Sequence, residues 1–118
     1  MSCNQLELDN DCRSHSLPSG VWADALIQLE VTNRMPYNSL LAWYRRALSC
    51  CPYSVRLWCQ LADCQLRRGA PWPAVRDTLD AALNSGLHSE SDLALLDAKL
   101  RFCAAVYFYR NLLETKRH

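Results

Sequence analysis

Glycine is scarce in this chain of 118 residues: only Gly20, Gly69 and Gly86, no two of them closer than 17 residues. A loop that cradles phosphate needs glycines in one short span, so that backbone N–H groups can converge on the anion. No such loop is present. Histidine is equally sparse, with His15, His88 and His118 falling in a linker, a loop and the chain end. None has a nucleophile or base beside it, so no catalytic residues, cofactor-binding residues or enzymatic activity are expected. Long apolar runs are missing too, and nothing approaches the roughly 18 residues of a membrane-spanning helix. The opening MSCNQLELDNDCRSHSLPSG has no basic start followed by an apolar stretch, so no secretory signal is expected. Alternating polar and apolar residues never persist, so no strand is expected either.

Cysteine, by contrast, is plentiful. There are seven, an odd number that suits free thiols in a reducing intracellular setting better than a disulfide framework. Cys51, Cys59, Cys64 and Cys103 fall on or beside apolar helix faces, where a thiol packs as a small hydrophobe. The spacing C-C-x7-C-x4-C from Cys50 onward matches no zinc pattern, and no histidine stands near it. Cys3, Cys12 and His15 are similar to the opening of a zinc finger, but Pro18 stands where its third cysteine belongs. No metal ligand set is therefore expected.

The net charge of +1 hides a blocked distribution. Residues 1–33 carry −4, 34–76 carry +6, 77–97 carry −5 and 98–118 carry +4. The basic block holds Arg34, Arg45, Arg46, Arg56, Arg67, Arg68 and Arg76 against a single acid, Asp63. Such blocks attract phosphate or acidic partners, or let neighbouring helices attract one another. Asp77 and Asp80 read as a solvated helix face.

Periodicity places helices along most of the chain. Residues 1–19 read as a flexible leader or linker, and 116–118 as a tail. Helices are expected over about 21–32, from a cap at Asn38 or Ser39 to Cys51, from Ser54 to Arg68, after Pro71 to Leu83, and from Ser89 or Ser91 onward with Leu93, Leu96 and Leu100 inward. With no glycine or proline in it, the last segment is either divided by a tight turn near Arg101–Ala104, the favoured expectation, or runs on as one bent helix. The helix after Ser54 has one narrow polar stripe, Arg56, Gln60, Asp63 and Arg67, and is apolar nearly all round. Such a helix must be covered on more than one side.

The chain also matches itself at a shift of about 35 residues. Ala47-Leu48 answers Ala82-Leu83, Leu40 answers Val75, and Trp58 and Leu61 answer Leu93 and Leu96, while Trp22 stands 36 before Trp58. The implied unit is a helix pair, repeated over 20–115 as pairs at about 21–51, 54–85 and 89–115. Amphipathic pairs of this kind stack and share a continuous core. The fold expected is all-α, antiparallel helix pairs stacked as a short solenoid, with a core of Trp22, Tyr44, Ala47, Leu48, Pro52, Trp58, Leu61, Ala62, Leu79, Ala82 and Leu83.

The run Tyr44, Ala47, Leu48, Pro52, Leu57, Trp58, Leu61, Ala62 resembles the join between tetratricopeptide repeats, and YRRAL…P…LW is closest to the half-a-tetratricopeptide (HAT) variant. Gln65 and Thr78 depart from the pattern where aromatics are usual, and Gly86 where proline is usual. The resemblance implies a non-enzymatic scaffold for protein–protein interaction, most often in nuclear RNA processing such as splicing, 3′-end formation and exosome-linked decay. Other implied roles are a cytosolic tetratricopeptide adaptor for chaperones or transport, or a helical module that binds RNA directly. Arg45, Arg46, Arg67 and Arg68 are the candidate partner-binding residues, for acidic or helical protein segments, with RNA contact indirect. The final helix carries Val106, Tyr107, Phe108, Tyr109, Leu112 and Leu113 on more than one face. A further repeat, a second copy or a continuing parent chain is expected to cover that surplus.

Overall fold

Prolines set three of the helix starts, each by the same means. The structure, a computed structural model, describes residues 17–86 and 89–117. Among the described residues lie five helices and no strand: α1 (Ser19–Asn33), α2 (Tyr37–Cys50), α3 (Val55–Arg67), α4 (Trp72–Leu83) and α5 (Glu90–Arg117). Pro18, Pro36 and Pro71 precede α1, α2 and α4 with ψ of 145, 149 and 151°, an extended setting that turns each carbonyl toward the first helical N–H. Pro18 O accepts from Val21 and Trp22, Pro36 O from Leu40, and Pro71 O from Ala74, at 3.0–3.2 Å. The cap expected at Asn38 or Ser39 is therefore not the one used. Pro36 has already started α2, with no side-chain cap.

The other two helices begin with serine. Ser54 Oγ accepts the Leu57 N–H at 3.3 Å at the head of α3. At α5, Ser89 Oγ accepts from Asp92 N at 3.1 Å and Asp92 Oδ2 from Ser89 N at 3.4 Å, a reciprocal capping box. Helix α3 closes on Gly69, whose φ of 78° is the left-handed setting that β-carbons disfavour. Gly69 N donates to Leu66 O at 3.2 Å and Ala70 N to Gln65 O at 2.9 Å, the two bonds of a Schellman ending.

The turn expected near Arg101–Ala104 does not form, and 89–115 is not a helix pair. Residues 90–117 make one helix of 28 residues, about 42 Å long against about 18 Å for α4. The segment has no glycine or proline to stop it. An i,i+4 ion pair, Arg101 to Asp97 at 3.2 Å, supports the turn that leads into the place where the break was expected. The starts of α1, α3 and α5 still fall 36 and 35 residues apart, and those of α2 and α4 35 apart.

The chain divides into two compact units, one running to Leu57 and one from Trp58, with the divide inside α3. In the first, α1 packs on α2. Its core includes Trp22, Leu26, Leu29, Leu40, Tyr44 and Ala47, all at most 1% exposed, with Leu48 also buried. Pro52 is half-buried. Arg56 reaches Asp24 at 2.7 Å, but both side chains are more than half exposed, so the pair contributes about 0–1 kcal/mol. In the second unit α4 packs on α5, and Leu61, Ala62, Cys64, Val75, Leu79, Ala82, Leu96 and Cys103 are buried. Trp58 and Leu83 are half-buried, so Trp22 and not Trp58 is the fully buried tryptophan. Leu93, expected inward, is 42% exposed, although it stands one turn before the fully buried Leu96.

Gln65 is the one buried polar side chain among the described residues. The Thr78 hydroxyl lies 2.7 Å from its Oε1, linking α3 to α4. Gln65 and Thr78 are the two places where aromatics were expected from the repeat pattern. Here a part-buried hydrogen bond stands in for an aromatic contact.

Candidate functional site

The four arginines singled out in the sequence fall two in each unit. Arg45 and Arg46 belong to the first unit, Arg67 and Arg68 to the second. Arg45 is exposed on α2, while the Arg46 guanidinium lies 5.5 Å from the centre of the Trp43 ring, a cation–π contact that fixes it to its own unit. Trp43 in turn lies 6.3 Å from Trp22, ring centre to ring centre. Arg67 and Arg68 are exposed at the carboxyl end of α3, where a cation complements the helix dipole.

The more informative surface is on α5. One face of this helix meets its own unit. Leu96 and Cys103 are fully buried, and Lys99 Nζ donates to both oxygens of Asp63 on α3 at 3.2 and 3.1 Å. Trp72, at the start of α4, lies 5.8 Å from the Tyr107 ring and 5.9 Å from Phe108. Arg110 Nη1 donates at 3.0 Å to the Leu66 carbonyl, which also accepts from Gly69 N in the closing turn of α3.

A second apolar stripe runs beside that face, about a quarter-turn round the helix, and it has no cover within its unit. Phe102, Ala105, Val106, Tyr109 and Leu113 fall at i, i+3, i+4, i+7 and i+11. With Arg110 at the rim they line an open groove of about 590 Å³. Phe102 is 57% exposed, Tyr109 61% and Leu113 43%, and Leu95 one turn-pair earlier is 54% exposed. Single exposed hydrophobes need no explanation, but a contiguous stripe five turns long does. Phe102 and Leu95 were missed in the sequence because the turn expected at Arg101–Ala104 would have interrupted the stripe. The i, i+3, i+4, i+7 spacing across 102–109 was the signal that could have found it.

The thiols near this region are shielded. Cys59 and Cys103 are buried against the Asp63–Lys99 pair, and burial above all pushes both thiols upward from the usual range. The Asp63 carboxylate pushes the same way, and Lys99 opposes it. A thiol held neutral and covered is a poor nucleophile. Among the described residues no three His, Cys, Asp or Glu side chains gather where they could hold a metal ion. Cys3, Cys12, His15, His88 and His118, like most of the expected leader, lie outside the described residues. No described helix is long and apolar enough to cross a membrane.

No known protein family, no curated protein and no solved structure matches this chain.

Proposed function

We propose that this chain is a non-enzymatic helical scaffold that holds other polypeptides, and that the outer stripe of α5 is a surface through which it does so. The observation that carries this reading is the stripe itself. Five turns of half-exposed Leu, Phe, Tyr and Leu on one continuous helix are what a helix-in-groove or helix-on-helix contact requires. The 35-residue recurrence of helix starts and the YRRAL…P…LW wording favour a stacked HAT-like arrangement. The same wording supports a role in nuclear RNA processing, with RNA reached through proteins. Within that class the chain resembles the carboxy-terminal repeat region of the zinc-finger adaptor that links polyadenylated nuclear RNA to the exosome.

The test is affinity purification of the whole chain from cells, side by side with a Phe102→Asp, Tyr109→Asp variant of unchanged helical circular dichroism. The reading expects proteins that are retained after ribonuclease treatment and lost from the variant. An identical protein set from both chains, or recovery that depends wholly on RNA, would overturn it.

A further inference from the structure

We infer that the occupant of the α5 stripe is a second copy of the same helix, laid antiparallel, so that the chain is a two-fold symmetric dimer. The inference rests on the proposed reading of the stripe as a protein-binding surface. Two independent features of α5 point to self-pairing and fix its direction.

The first is the order of large and small residues. Leu95, Ala98, Phe102, Ala105, Tyr109 and Leu112 form a seam spaced alternately by three and four residues along the edge of the stripe; read outward from its middle, one arm runs Phe102, Ala98, Leu95 and the other Ala105, Tyr109, Leu112. A two-fold axis passing between residues 103 and 104 superposes one arm of the first copy on the other arm of the second. Phe102 then faces Ala105 of the second copy, Tyr109 faces its Ala98, and Leu95 meets its Leu112. Each ring is set against an alanine, and all these side chains except Ala98 and Ala105 are large and more than half exposed. Both alanines are exposed too. Interlocking of large against small is what close helix packing needs. A parallel pairing would set Phe102 on Phe102 and leave alanine on alanine, a bulge beside a gap.

The second feature is charge. The first eight residues of α5 hold Glu90, Asp92 and Asp97 and no base, while the last eight hold Arg110, Lys116 and Arg117 against Glu114. Antiparallel pairing brings the acidic end of each helix to the basic end of the other and opposes the two helix dipoles. A two-fold interface must be self-complementary, and a helix acidic at one end and basic at the other meets that condition only when reversed. Large side chains about half exposed offer on the order of 100 Å² each, so the stripe supplies on the order of 500–600 Å² per copy, somewhat below the ~800 Å² of a standard interface. That predicts a dimer of micromolar, not nanomolar, affinity.

Sedimentation equilibrium on the whole chain across about 1–300 µM provides the test, with Phe102→Glu and Ala105→Lys as variants. Both positions are exposed, so neither change should lower helical content. Each variant alone should weaken self-association by about 30-fold or more. An equimolar mixture should restore it, because in the antiparallel register Glu at 102 of one copy meets Lys at 105 of the other while the opposite pair stays native. A parallel dimer brings no 102 to a 105 and gives no rescue. A wild type that stays monomeric at 300 µM overturns the self-pairing, as does a dimer indifferent to Phe102→Glu. If that monomer nonetheless loses a heterologous partner on Phe102→Glu, the protein-binding reading stands and only the second copy is refuted. If the stripe variants change neither self-association nor partner recovery, both fall.

Discussion

Helices α3 and α5 draw on the same residue types and end in opposite circumstances. In α3, 13 residues long, Val55, Leu57, Cys59, Leu61, Ala62, Cys64, Gln65 and Leu66 are all buried. In α5, more than twice that length, Leu96 and Cys103 are the only buried residues among those described, and seven large apolar side chains stay exposed. Leu93, Leu95, Phe102, Phe108, Tyr109, Leu112 and Leu113 make up that set. Apolar content alone does not decide burial; the length of what lies alongside does. α4 spans about 18 Å, and a helix of about 42 Å overruns it. The difference teaches that the apolar surface of α3 is used up inside this chain, while much of that of α5 is left uncovered.

Leucine truncations offer the sharpest way to break that contrast. Leu57→Ala removes a fully buried side chain from α3 and should cost roughly 2–5 kcal/mol, read as a lower midpoint in urea at unchanged slope. A loss under 1 kcal/mol would mean that α3 is not held as tightly as its burial indicates.

The thiols give the next largest effect, and it depends on pH. Cys59 on α3 and Cys103 on α5 are both held above the ordinary thiol value of 9.0, chiefly by burial. The folded chain therefore keeps protons that the unfolded chain has released. This contribution is fully present below pH 9 and is lost as pH rises through the folded value, at up to about 1.4 kcal/mol per pH unit per thiol. Cys59→Ala, Cys103→Ala together should flatten the alkaline limb of a stability–pH profile relative to wild type. Parallel profiles would show that the shielding described here is absent in solution.

Gly69→Ala probes the end of α3. The backbone there stays at φ 78° and a β-carbon meets nothing within 4 Å, so the cost is conformational alone, about 1 kcal/mol. Denaturant unfolding would show it directly, and a neutral result would mean that the Schellman ending has relaxed. The smallest effect belongs to α5. Leu112→Ala should leave the stability of dilute chain within about 0.5 kcal/mol of wild type, because the side chain is 53% exposed and has little to lose. The same change should weaken self-association at high concentration. A larger loss in dilute solution would mean that the stripe packs within its own copy.

Much of the helical frame was legible from local chemistry. Pro18, Pro36 and Pro71, the serines Ser54 and Ser89, and Gly69 place the ends within a few residues, since each acts on the backbone beside it. The Asn38 or Ser39 cap was misplaced because side-chain capping was weighed and the carbonyl of Pro36 was not. The turn at Arg101–Ala104 was misplaced for a different reason: the repeat demanded a pair, while no residue there could stop a helix. Phe102 and Leu95 followed from that error. The hydrogen bond from Thr78 to Gln65 was invisible because it joins residues 13 apart on different helices. The engagement of Arg46 was equally hidden, since the Trp43 ring under it depends on side-chain direction and not on spacing alone.

The bond from Arg110 to the Leu66 carbonyl has a consequence for how the chain moves. Residues 111–116 beyond it are all exposed, so the last turns of α5 are helical without tertiary support. An isolated stretch that short opens and closes at almost no free-energy cost. Its amides should therefore exchange with deuterated water far sooner than those around Leu96 and Cys103. Amide exchange at 111–116 becomes a clock for occupancy: fast while the end of α5 is bare, and slowed in proportion to the fraction of chains in which something lies along it.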